Sequence, residues 1–140
     1  MLGRKMEKFK FLKHTADIKF QAYGKSLKEA FSNAALALTA VFSEDEIKGK
    51  TKKKISVLGN DDKELLYSFL EEIIILVDTK NLLLGKVSKV KIVAGKLEAE
   101  LLMDRTENYD IRGDVKAVTY NEMLIEKKAG KFMVQVVVDV

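Results

Sequence analysis

The apolar residues of this chain change their period partway along. Two segments in its first half repeat them every third or fourth position, whereas from Val87 onward they recur mostly at every second position. One face recurs about every 3.6 residues in a helix and about every 2 in a strand, so no single kind of element satisfies both patterns. Leu27, Ala30, Phe31, Ala34, Leu38, Val41 and Phe42 form the first helical stripe. Ser26-Leu-Lys-Glu29 at its start reads as a capping box, and the helix is expected to run to about Phe42. Gly59-Asn60-Asp61-Asp62 offers a break and an N-cap for a second helix, from about Lys63 to Asp78, with its stripe at Leu65, Leu66, Phe69, Leu70, Ile73, Ile74 and Val77. Ile75 and Leu76 make its C-terminal end apolar nearly all round, which predicts cover on two sides.

Strands are expected at Lys8 to Lys13, Asp17 to Tyr23 and Lys53 to Leu58. Val87 to Ala94 and Lys96 to Met103 flank Gly95 as a hairpin. Asp104 to Asp114 is a polar loop, Val115 to Tyr120 and Met123 to Lys127 are two further strands, and Ala129-Gly130 turns the chain into Lys131 to Val140. About eight strands following and flanking two helices predict an α+β fold. The expectation is a single compact domain over residues 1–140, with both helices on one side of a mixed, largely antiparallel sheet and residues 1–7 as a flexible extension.

Composition narrows the chemistry. The 140 residues include no cysteine, which excludes disulfides, thiolate zinc sites, Fe–S clusters and cysteine nucleophiles. With one histidine, multi-His metal sites are excluded and any Ser-His-Asp catalysis must use His14. The longest apolar run, Ile73 to Val77, is five residues against the roughly 20 of a membrane helix, and the charged N-terminus lacks the apolar region of a signal peptide. A soluble cytoplasmic protein with no membrane partner is the expectation. The net charge is +4, and residues 1–13 alone carry +4, so the remainder balances and does not read as a uniformly basic nucleic-acid binder. One further cluster, Lys48-Gly-Lys50-Thr-Lys52-Lys53-Lys54, reads either as a solvated loop entering a strand or as a phosphate-facing patch.

Two acidic residues stand where apolar strands begin and end. Asp17 opens one strand, although Asp is poor in strands, and Asp139 follows Val136-Val137-Val138. If the terminal strands pair, these side chains and the α-carboxylate of Val140 would form an oxygen-rich site for a hard cation such as Ca²⁺ or Mg²⁺. The plainer alternative is that both are surface caps. His14 beside Asp17 reads as a general base with an orienting carboxylate, or as a strand-edge histidine bonded to a carbonyl. No Walker-type or GxGxxG phosphate loop is present; Gly24-Lys25-Ser26 lacks the upstream glycine. Asp61, Asp62 and Glu64 complement a helix dipole, and Asp110 and Asp114 read as solvated.

His14-Thr-Ala-Asp17-Ile18, the Tyr23-Gly24 turn and Ser26-Leu-Lys-Glu29-Ala30-Phe31 resemble the opening of the archease family. Glu64-Leu-Leu-Tyr-Ser-Phe-Leu-Glu-Glu72 with Asp78 after it, Val115-Lys-Ala-Val-Thr-Tyr120 and Val138-Asp139-Val140 continue the resemblance in order, over residues 9–140. The resemblance implies a small cytoplasmic cofactor protein, not a free-standing enzyme. Its partner would be the GTP-dependent RNA ligase of tRNA splicing, with tRNA met at most indirectly. It would promote guanylylation of the ligase's active-site histidine, support repeated turnover and broaden nucleotide use. It also implies a metal site at Asp17 and Asp139, with Val140 adding an oxygen, for a divalent ion: Ca²⁺ first, with Mg²⁺ and Mn²⁺ as alternatives. Two positions depart from the family pattern: Lys13 stands where many members carry an acid, and Asn121 where many carry a histidine. Two other readings compete: an RNA-binding or chaperone module in tRNA processing, using the lysines at 50–54 and the basic N-terminus, and a metal-dependent hydrolase using His14.

Overall fold

The computed structural model describes residues 7–14 and 16–140, so the extension expected at 1–7 lies, apart from Glu7, outside the described residues. The elements in chain order are β1 (Phe9–Leu12), β2 (Ile18–Gly24), α1 (Leu27–Phe42), β3 (Thr51–Leu58), α2 (Asp62–Lys80), β4 (Leu82–Val93), β5 (Lys96–Arg105), β6 (Ala117–Lys128) and β7 (Lys131–Asp139). This is the expected α+β class with two helices. The arrangement of strands differs from the expectation of one mixed sheet. Every pairing is antiparallel, and the strands divide into a four-stranded sheet ordered β1-β2-β7-β6 and a three-stranded sheet ordered β3-β5-β4. The hairpins β1–β2, β4–β5 and β6–β7 pair locally, and the helices replace hydrogen bonds as the link between sheets. α1 packs on β2 and β4, and α2 on β6 and β3, so each helix touches both sheets. Phe31 of α1 and Phe69 of α2 are fully buried, with their rings stacked 6.4 Å apart at the centre of the shared core.

Local chemistry sets the ends of these elements. The Glu29 N–H donates to the Ser26 hydroxyl at 3.2 Å, and the Glu29 carboxylate accepts from the Lys25 N–H at 3.1 Å, a capping box closed one residue earlier than usual. Asp61 caps α2 by accepting from the Glu64 N–H at 2.8 Å, and Asn81 ends the helix in the left-handed region, φ 54°. The stripe residues Ile73 and Ile74 are buried, but the expected cover on a second side of the end of α2 is not found: Ile75 is 45% exposed and Leu76 only partly buried. β4 starts five residues earlier than the alternating pattern indicates, because Leu82, Leu83 and Leu84 are all buried and so show no alternation. The loop after β5 is anchored rather than free. Asp104 is buried and accepts from the Arg105 N–H, Asn108 and the Tyr109 hydroxyl, which hold its carboxyl below the usual range, the Tyr109 hydroxyl foremost. Asp110 is tied to Arg112 at 2.8 Å.

The two strands expected at 115–120 and 123–127 are one strand, β6, interrupted by a bulge. Thr119 pairs with Val137 and Leu124 with Gln135, so four residues of β6 oppose one of β7. Glu122 sits in this bulge with φ 52°, a left-handed conformation that an L side chain adopts only when its surroundings require it.

Both two-residue hairpin turns place an alanine in the left-handed region ahead of a glycine. These are Ala94 (φ 49°) with Gly95, and Ala129 (φ 51°) with Gly130. That pattern is the type I′ turn, which asparagine fits and alanine does not. Left-handed backbone costs a Cβ-bearing residue about 1–2 kcal/mol, and Asn avoids much of it. Ala129→Asn should therefore raise stability by up to about 1 kcal/mol, read as a higher urea midpoint at unchanged m-value. An unchanged midpoint would mean that the turn carries no such strain.

Candidate functional site

The site is built where the first long strand begins and the last one ends. β7 lies between β2 and β6 and is covered on both faces: Val134, Val136, Val137 and Val138 are fully buried and Gln135 nearly so. Ile18 pairs with Val138, which sets Asp17, one residue earlier, level with Asp139, one residue later. On the other side Asp139 pairs with Ala117, and its carbonyl accepts from the Lys116 N–H at 2.8 Å. The backbone under Asp139 is therefore held on the β6 side, one residue past the last pair with β2, while Asp139 and Val140 are exposed. The side chain of Asp17 is partly covered, 31% exposed. A shallow cleft of about 440 Å³ at this end is lined in part by Leu12, His14, Asp17, Ile18 and Val41.

A polar chain runs into this end of the sheet. Tyr23 donates to Gln21, Gln21 to Gln135, and Gln135 to the Glu122 carbonyl, all at 2.8–2.9 Å. The last of these bonds secures the left-handed Glu122, whose carboxylate faces His14 and Lys19. It lies 2.8 Å from His14 Nε2 and 3.2 Å from Lys19 Nζ. An ionised carboxylate only accepts, so Nε2 carries the proton. The other ring nitrogen, Nδ1, then faces Asp17 at 3.8 Å; it is buried and without a hydrogen-bond partner. His14, foremost, and Lys19 hold the Glu122 carboxyl below its ordinary range.

That lowered value fixes a sign. A carboxylate with a depressed folded-state pKa contributes stability that is fully present above its ordinary pKa and is lost as the pH falls through the depressed one. The stability difference between the wild type and Glu122→Gln should hold near neutral pH and shrink as the pH drops below 4.5, the reference value for Glu. Urea titrations across that range check it, and a difference that grows in acid would contradict the ion pairing.

The register places Asp17 and Asp139 level with each other, one residue beyond the last β2–β7 pair. No Lys or Arg nitrogen lies within 4 Å of either carboxylate among the described residues. Carboxylates set level in this way, without a cationic side chain beside them, would leave local negative charge that a cation can neutralise, and oxygen donors suit a hard ion. Among the described residues no three His, Cys, Asp or Glu side chains form a metal-holding group. A cation here would need oxygens beyond these two side chains, from the Val140 carboxylate, backbone and water. Glu122 escaped the sequence reading. Its signal was the buried Val118 and Met123, whose odd spacing breaks the strand's alternation and marks the bulge. Of the departures from the family pattern, Asn121 lies in that same bulge and donates its N–H to the Thr119 hydroxyl at 3.3 Å, and Lys13 lines the cleft beside His14.

Residues 9–140 match the model of the Archease protein family (MTH1598/TM1083). The chain belongs to the archease family. It is 39% identical to Protein archease of Sulfolobus acidocaldarius over 142 residues, covering 96% of this chain and 100% of the relative. It is 33% identical to Protein archease of Methanosarcina mazei, covering 96% and 97%. The solution structure of Methanobacterium thermoautotrophicum protein 1598 superimposes with a TM-score of 0.79 at 31% identity, covering 96% of this chain and all of that one. The crystal structure of an archease from Thermotoga maritima, described as a possible chaperone, has a TM-score of 0.65 over 99% of this chain; at 20% identity it speaks for the fold alone. Among the described residues no helix is long and apolar enough to cross a membrane.

Proposed function

We propose that this chain is a non-enzymatic accessory protein that activates the GTP-dependent RNA ligase of tRNA splicing. It promotes guanylylation of the ligase's active-site histidine and supports repeated turnover. Membership of the archease family supports the class of activity. One structural observation carries the mechanism: Asp17 and Asp139 are set level on neighbouring strands, with no lysine or arginine nitrogen within 4 Å of either among the described residues. In this reading they hold a divalent cation together with the Val140 carboxylate, Ca²⁺ first and Mg²⁺ or Mn²⁺ as alternatives. The ion would supply positive charge for triphosphate oxygens, which the bare carboxylates repel.

The chain's own residues do the rest. β7 fixes the backbone of Asp139 by its pairing with β6, which limits the freedom lost when the site is engaged. Glu122 accepts from His14 Nε2 and turns the opposite ring edge toward Asp17, which makes Glu122 and His14 positioning residues. The test is a guanylylation assay of the ligase with and without this protein, at matched metal concentration. A higher rate and more than one turnover per ligase are expected. An unchanged rate removes the reading.

A further inference from the structure

The three-stranded sheet has a core face and a second face with a different chemistry. Ile55, Val57, Leu97, Ala99, Leu101 and Met103 pack into the core, and the residues between them project from the opposite side. The register arranges that side in four cross-strand rows. From β3 through β5 to β4 they read Lys52, Leu102, Lys86; then Lys54, Glu100, Lys89; then Ser56, Glu98, Lys91; and last Leu58, Lys96, Val93. Six lysines share this face with two glutamates. Glu100 is taken up by Lys52 at 2.9 Å and Lys89 at 3.9 Å, and Glu98 by Lys96 at 3.2 Å. Lys54, Lys86 and Lys91 have no carboxylate within 4 Å among the described residues. The face therefore carries an excess of four positive charges, concentrated on its two outer strands.

We infer that this face binds the phosphate backbone of RNA, independently of sequence. The choice of RNA over an acidic protein surface rests on what the face lacks. Protein interface cores are enriched in aromatics, Met and Arg and depleted in Lys. Here every cation is a lysine, no aromatic residue stands in the four rows, and even Lys89, which lies 3.9 Å from Glu100, is 82% exposed. Lysine is a strongly hydrated point charge that contacts phosphate without the bidentate fork that reads bases. Without aromatic platforms there is no stacking either, so affinity should be electrostatic and indifferent to base identity. Lysines two residues apart on one strand, such as Lys52 and Lys54, are spaced by roughly 7 Å, which makes a linear track. The inference rests on the ligase reading only for which RNA is met in the cell; the face itself would take any such backbone.

The test uses the full chain without ligase and without added metal. Binding of a labelled tRNA and of an unrelated RNA hairpin is followed by fluorescence anisotropy over a salt series. Four neutralised phosphates predict a slope of log K against log salt of roughly −3 to −4, with similar affinity for both RNAs. Lys54→Glu/Lys91→Glu should weaken binding at least tenfold and flatten the slope by about 2. Lys54→Gln/Lys91→Gln, gentler on the fold, should do the same in smaller measure, and far-UV dichroism with a urea midpoint confirms that both variants are folded. Wild-type protein that does not bind RNA at low salt overturns the proposal. So does RNA affinity unchanged in the folded variants, which would leave the face as a surface for an acidic protein. Because the assay contains no ligase, its failure is distinct from a failure to stimulate guanylylation.

Discussion

Replacing Asp139 by alanine should lower Ca²⁺ affinity at least tenfold and abolish stimulation of the ligase, while the protein stays folded. The side chain is exposed and makes no ion pair among the described residues, and the backbone bonds that hold the strand end do not involve it. Removing it takes one negative charge from a pair. At an effective dielectric of about 20, a unit charge about 4 Å from a divalent ion is worth roughly 8 kcal/mol before solvent screening and desolvation. About a sixth of that is enough for a tenfold change in affinity. Asp139→Asn keeps the shape and should behave like the alanine variant if charge is the operative property. Titration calorimetry reads the metal step without the ligase, and the guanylylation assay reads the activity. Wild-type affinity in both variants would show that these carboxylates only cap the surface.

Phe69→Ala should cost about 3–5 kcal/mol, a large part of the roughly 5–15 kcal/mol that keeps a domain folded. Phe69 is fully buried and stacks on Phe31 of the other helix, and the helices are what join the two sheets. The melting temperature should fall by roughly 10–15 °C, and denaturant unfolding gives the energy directly. A loss below about 1 kcal/mol would mean that the sheets are held together by something other than this helix pair.

Much of this architecture could be read from local pattern. Ser26 with Glu29 and Asp61 ahead of Glu64 fixed the helix starts, and Gly95 and Gly130 marked the hairpins. The apolar run from Phe132 to Val138 announced a well-covered strand. What stayed hidden is non-local. Antiparallel pairing is a choice among strand edges, and nothing in β3 or β1 alone says that they belong to different sheets. β4 hid its first residues because three consecutive buried leucines have no alternation. β6 looked like two strands because one residue, Glu122, turns left-handed and shifts the parity of everything after it. Asp17 and Asp139 were visible as acids misplaced in apolar strands. Their adjacency needed the observed register of Ile18 with Val138, and Glu122 needed the bulge.

The position of β7 also dictates an order of events. Among the described residues it is the one hydrogen-bonding neighbour of β6 and the second neighbour of β2, which precedes it by more than a hundred residues. Until β7 arrives, β6 has no partner and β2 shows an open edge. The three-stranded sheet and both helices can form from earlier sequence, so a growing chain would carry one finished sheet and one unfinished one. Closing a loop of that length costs entropy that only these pairings repay, so the docking of β7 is the expected slow step of folding. The carboxylate pair is then completed in the same step, so a chain cut short before β7 would lack a closed sheet and the site together.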